Sequence, residues 1–286
     1  MSKHTPPHPD PADLSRAAAT PARVVIAGLG LITPLGLGAW ATYRALLAGK
    51  TIADRAPALP AGLMPTDIAI ALGGVSVARH SAVDPAVELA ERATREAAAM
   101  AGLPTAGIPM FLGTSKGAIA NLSRQRGAGR PLDADTQHAA AVGPHAHLAA
   151  RLNARLATAP RSHCVAACAS GLAALDNARR SLAYARDPSE SPYALAVSAD
   201  AALTPCFVHS YLRLGVLADP THAGYRQRPL DETRRGFMLC ETGAAVLLRR
   251  LDPGESPRPG EAELVHTALC CEPDHLIPPR PDMPAL

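Results

Sequence analysis

Two cysteines four residues apart, Cys164 and Cys168, stand where an apolar run gives way to small residues: His163-Cys-Val-Ala-Ala-Cys168-Ala-Ser170-Gly171-Leu172. Read locally, the run is a buried strand over His163–Ala167, and the stretch after it opens a helix over Gly171–Ala185. A thiol at such a junction meets the positive end of the helix dipole and backbone N–H groups without intrahelical partners. These surroundings favour a sulfur nucleophile and can hold the oxyanion that its attack creates. Ala169, Ser170 and Gly171 leave room for a carbonyl to approach. Free cysteines are also among the most buried residue types, so a small inert core residue at Cys168 fits the same spacing. Cys164 shares the sheet face of Cys168, which suits a redox partner or a filler, and His163 reads as structural.

The elements that must position this junction follow from pattern. Arg23 to Gly28 is a β-branched run ended by glycines, read as a buried strand entering a tight turn, and Trp40–Gly49 reads as a helix. Asp84-Pro85 sets a capping carboxylate and a first-turn proline ahead of a helix over Ala86–Ala101, with an apolar stripe of Val87, Leu89, Ala90, Ala93 and Ala97. Further strands are expected at Ile108–Gly113, Tyr193–Ser198, Ala244–Leu248 and Glu263–Cys270. Strands alternating with helices predict an α/β fold whose sheet is covered on its faces. Residues 1–21, rich in proline and polar residues, read as a disordered tail, residues 22–286 as one domain, and Pro278–Leu286 as an extended strap.

Composition narrows the function classes. The chain has 286 residues, 48% hydrophobic and 19% charged, with a net charge of +3 and only 3% aromatics, so the footprint of a nucleic-acid binder is missing. Six cysteines without paired spacing suit reduced intracellular thiols; no stretch reads as a signal peptide or membrane span, and a cytoplasmic location is expected. Gly28 and Gly30 open like a dinucleotide fingerprint, but Thr33 stands at its third glycine, so the segment reads as a structural turn. His266, Cys270, Cys271 and His275 have short spacings, yet adjacent strand residues point to opposite faces, which favours core packing over a metal site. Lys116 on its turn is either solvated or placed to attract a phosphate.

Beyond these patterns, Ala166-Ala-Cys168-Ala-Ser-Gly-Leu-Ala-Ala174 resembles the active-site signature of the β-ketoacyl synthases, members of the thiolase-like superfamily. Other segments are similar to the family in the same order: Val24–Gly36, Leu46–Lys50, Leu112–Gly117, Ala199–Pro205, Leu214–Leu217, Arg228–Asp231 through Arg234, Gly236, Phe237 and Glu241, then His275 with Pro279. Cys240 and Thr242 flank Glu241 where the family usually has glycine, and Arg235 stands where an acidic residue is common. Glu241 is expected to orient neighbouring backbone rather than act as a base.

The resemblance implies a thiolase-like lobe: a mixed, mainly parallel five-stranded sheet covered by helices. It implies Cys168 as the catalytic residue that accepts an acyl group from the phosphopantetheine arm of an acyl carrier protein, in fatty-acid or polyketide biosynthesis, with no bound cofactor or metal. The family's two histidines and its lysine belong to a second half; no His-Gly-Thr triplet occurs here, and none of the 11 histidines takes those roles. Condensation is therefore expected to need that half in trans, from a second-half or full-length ketosynthase partner, with homodimerisation as another way to cover the lobe's apolar face. The alternatives are a non-catalytic pseudoenzyme that binds carrier protein or a full-length synthase, and a thioester hydrolase or priming acyltransferase that uses Cys168 without condensation.

Overall fold

A computed structural model describes residues 21–51, 83–185, 187, 189–201, 203–217, 231–232 and 236–270. Five long strands build its sheet: β1 (Val24–Thr33), β3 (Pro109–Gly113), β4 (Ala159–Cys164), β5 (Tyr193–Asp200) and β6 (Thr242–Arg250). Two two-residue strands, β2 (Gly36–Leu37) and β7 (Ala262–Glu263), both pair with β1. The order is β2-β1-β6-β5-β3-β4. β3 is parallel to β4 and β5, whereas β6 is antiparallel to both β1 and β5. Four long strands thus point one way and β6 alone runs against them, which is the mixed, mainly parallel sheet that the family resemblance implied.

Strand alternation divides the core into two layers. Met110, Leu112, Leu195, Val197, Ala245 and Leu247 face helix α2 (Pro85–Met100) and helix α5 (Pro144–Leu156). Phe111, Ala194, Ala196 and Leu248 face helix α6 (Ser170–Ala183) through Ala174, Ala178 and Leu182. The remaining helices are α1 (Ala39–Leu47), α3 (Ala120–Gly127), α4 (Ala134–Val142) and α7 (Pro205–Arg213).

Helix α2 begins where its sequence requires. Asp84 is the N-cap, its Oδ1 accepting the Ala86 N–H at 3.0 Å, and Pro85 occupies the first turn. The other oxygen, Oδ2, accepts the Asn121 N–H at 2.9 Å, so one buried carboxylate fastens the starts of α2 and α3. Burial pushes the Asp84 carboxyl up, and the backbone donors of Asn121 and Ala86 pull it back. We expect Asp84→Ala to cost about 1–2 kcal/mol, the value of a lost cap. A melting temperature equal to that of the parent would contradict this.

Three expectations are corrected. Gly28 and Gly30 lie inside β1, not at a turn; the chain reverses later, at Pro34-Leu35. β4 starts and ends earlier than His163–Ala167 and is an exposed edge strand, because Ala166 and Ala167 leave the ladder to form the next turn. Of Glu263–Cys270 only the first residue joins the sheet; His266 and Cys270 are exposed rather than packed in a core, and Cys271 and His275 lie outside the described residues. Residues 1–20 and 271–286 lie outside them too, and so do Arg228, Arg234, Arg235 and Pro279. Among the described residues no helix is long and apolar enough to cross a membrane.

Candidate active site

The parallel strands β3, β4 and β5 end on one side of the sheet, where open α/β folds place their sites. β4 leaves the sheet at Cys164 and enters a single 3₁₀ turn, Ala167–Ala169, from which α6 begins. Ala167 takes a left-handed conformation, φ +47°. In a residue with a Cβ this is strained by about 1 kcal/mol or more. The turn puts Cys168 at the head of α6, and its side chain is exposed. Cys168 is thus not packed in the core of this chain, and the strand that delivers it is an edge strand rather than a buried one.

Small residues let α6 start this close to the sheet. A Cβ on Gly113, the last residue of β3, would stand 2.1 Å from the Ser170 carbonyl oxygen; one on Gly171 would stand 3.1 Å from Ser198 Oγ of β5. The helix is thus wedged over the ends of two neighbouring strands.

Ser170, expected only to leave room for a carbonyl, bonds instead to the turn ahead of it. It is buried, its Oγ accepts the Ala166 N–H at 2.9 Å, and the same hydroxyl donates to the Ala167 carbonyl at 2.7 Å. A serine two residues past a cysteine, at a helix start, is the available signal, since serine hydroxyls bond locally to backbone at such places. Cys164 accepts a hydrogen bond from Asn177 Nδ2 at 3.1 Å, the behaviour of a half-buried filler rather than of a partner for Cys168.

A polar group occupies the same end of the sheet. Lys116 is not free in solvent: its Nζ meets Asp200 Oδ2 at 2.7 Å and Ser115 Oγ at 2.9 Å. It also lies 5.6 Å from the ring centre of Phe207 and 5.9 Å from that of Tyr211. Nearby, burial and the charges of Asp200 and Glu241 push the Cys240 thiol up, so this second cysteine stays protonated. Glu241 itself is buried just ahead of β6, and Thr242 Oγ1 donates to the Ile32 carbonyl at 3.1 Å. His163 is exposed on β4.

Comparison with known proteins identifies the family. The family model for the beta-ketoacyl synthase N-terminal domain matches residues 22–253. The chain belongs to that family. A curated relative described as a polyketide beta-ketoacyl synthase 1, from Streptomyces halstedii, is 27% identical over 258 residues, 80% of this chain and 58% of the relative. Two solved structures share the ketosynthase fold. One is a type II polyketide-synthase acyl carrier protein in complex with its ketosynthase bound to a hexaketide (TM-score 0.58, 20% identity, 80% of this chain and 58% of that one). The other is a ketosynthase in complex with its chain length factor from Xenorhabdus doucetiae (TM-score 0.57, 16% identity, 83% and 59%). This ketosynthase-family chain thus spans a little under three fifths of the length of each.

Proposed function

We propose that the chain is the acyl-accepting part of a ketosynthase of polyketide or fatty-acid biosynthesis, an acyltransferase that loads its substrate on Cys168. The observation that carries this reading is the exposed thiol at the head of α6, held beside the C-terminal ends of β3 and β5. The sulfur of Cys168, having given up its proton, attacks the carbonyl carbon of an acyl thioester on the phosphopantetheine arm of an acyl carrier protein. The positive end of the α6 dipole favours the oxyanion that forms. Collapse breaks the bond to the pantetheine sulfur, which leaves as thiolate and takes up a proton, while the acyl group stays on Cys168.

The carbon–carbon bond-forming step that follows in the family uses histidines that this sequence does not hold, so it requires a histidine-bearing second half. Val165 and Leu172, on either side of the Cys168 turn, are 56% and 61% exposed, which is apolar surface where such a body would sit. A carrier protein and a ketosynthase-type partner are therefore the proposed partners; the two solved relatives are, by their descriptions, in complex with an acyl carrier protein and with a chain length factor.

Intact-mass spectrometry after incubation with acyl carrier thioesters tests this, alone and with a candidate second-half protein. We expect one acyl group per chain and none on Cys168→Ala. An unmodified Cys168 in both settings would sink the proposal and leave the pseudoenzyme reading.

A further inference from the structure

We propose that Ser170 is a positioning residue for Cys168: its hydroxyl holds the strained left-handed turn at Ala167 that aims the thiol. The inference rests on the acyl-accepting reading above and adds to it the device that presents the sulfur. Only a group that donates and accepts at once can do this work. Oγ takes the Ala166 N–H at 2.9 Å and gives its own proton to the Ala167 carbonyl at 2.7 Å, so it bridges the two peptide units that flank the Ala166–Ala167 peptide.

That peptide is where the chain departs from β4. Ala166 has φ −136° and ψ 45°, Ala167 has φ +47°, and Cys168 follows directly. Alanine does not hold a left-handed φ by preference. Two backbone bonds, Ala169 N–H to the Ala166 carbonyl and Ser170 N–H to the Ala167 carbonyl, close the turn, but neither engages the Ala166 N–H. The hydroxyl supplies that contact. It is fixed in turn, because Ser170 is 2% exposed and its carbonyl sits in the space that Gly113 leaves without a Cβ. The clamp is thus anchored on β3 and acts on the turn ahead of the cysteine. Without it, Ala167 relaxes toward negative φ and the direction of the Cys168 Cα–Cβ bond changes.

The test is the rate of Cys168 alkylation by iodoacetamide in the full chain, resolved from the other cysteines by peptide mass spectrometry, with a melting curve for each variant. Ser170→Ala is expected to slow Cys168 about tenfold, equivalent to about 1.4 kcal/mol. Ser170→Thr, which keeps the hydroxyl, is expected within about threefold of the parent. Glycine adopts φ +47° without strain, so in an Ala167→Gly background Ser170→Ala is expected to slow Cys168 only about threefold. A purely structural serine would not show that coupling. A folded Ser170→Ala protein alkylated at the parent rate overturns the proposal, and so does a slowing undiminished by Ala167→Gly. Where Ser170→Ala alone does not fold, the double variant against Ala167→Gly decides: slowing supports the clamp, and an equal rate overturns it. Iodoacetamide needs no carrier protein, so a parent that is alkylated normally but takes no acyl group refutes the acyl-accepting reading without touching this one.

Discussion

Gly30→Ala is expected to lose about 3 kcal/mol or more, because the new methyl group has nowhere to go. Built on the existing backbone, that Cβ would stand 1.8 Å from the Ala93 carbonyl oxygen and 3.0 Å from the Ala97 backbone nitrogen of α2. Gly28, two residues earlier on the same face of β1, faces Ala97 in the same way, its Cβ position lying 2.0 Å from that carbonyl oxygen. Backbone, unlike a flexible side chain, cannot swing aside. Relief requires α2 to lift from β1 and β6, and α2 carries Leu89, Ala90, Ala93 and Ala97, all fully buried in the larger core layer. A loss of this size is a large share of a domain's usual 5–15 kcal/mol. Gly49→Ala is the control: it too adds a methyl group, at a positive φ, but nothing lies within 4 Å of it, so about 1 kcal/mol of backbone strain is its whole cost. Denaturant unfolding of both variants measures the difference, and equal midpoints would refute the close approach of α2 to β1.

Arg249→Met is expected to cost about 2 kcal/mol or more at neutral pH, less than the full penalty of breaking a wholly buried pair. Arg249 lies in β6 with only 4% of its side chain exposed. It donates to both oxygens of Glu261, at 2.9 and 2.7 Å, and to Glu255 Oε1 at 2.7 Å. Methionine fills the space of the stem but leaves the Glu261 carboxylate, 8% exposed, without its counter-ion. Glu255 keeps nearly a third of its surface in water, so losing its ion pair costs little.

The same bonds fix the direction of the pH effect. Arg249 holds the Glu261 carboxyl below the usual carboxylate range; the Asp252 N–H, then Arg249, do so for Glu255. Carboxyls depressed in the folded state contribute stability that is present above their unfolded pKa of about 4.3 and is lost as pH falls through the folded values. The parent's advantage over Arg249→Met should therefore be full at pH 7 and shrink below about pH 4. A gap in unfolding midpoint that stays constant from pH 7 to pH 3 would refute the assignment.

How much of this was readable before the fold was known depended on whether a residue's role was local. Asp84-Pro85 announced α2 to within one residue at each end, because cap and first-turn proline are chemistry within a few positions. Cys168 at a helix start was legible for the same reason. β4 was not. Ala-Pro-Arg-Ser-His-Cys, residues 159–164, is too polar to read as a strand, since it forms an exposed sheet edge where Pro160 and Arg161 are tolerated. The more apolar run after it bends away instead.

Gly28 and Gly30 were assigned to a turn because glycine pairs commonly mark one. Their actual partner is a helix 63 to 69 residues further on, brought there by tertiary structure alone. Two glycines spaced by two, hence on one strand face, were the overlooked sign of a close helix. The Lys116–Asp200 pair joins residues 84 positions apart and was equally out of reach.

Strand β6, the one long strand that runs against its neighbours, also sets a timetable. It is the bridge between β1 and β5, and it is made late: Ile32 of β1 waits for Thr242, 210 residues downstream. At ribosomal speeds of about 5–20 residues per second, β1 spends roughly 10–40 s without its main hydrogen-bonding neighbour. β1, the earliest of the described strands, thus has only the two-residue β2 beside it until β6 is made. During that interval an apolar, glycine-bearing segment is offered to any other chain with an open edge, so yield in the cell depends on what shelters the nascent N-terminal strand as well as on final stability.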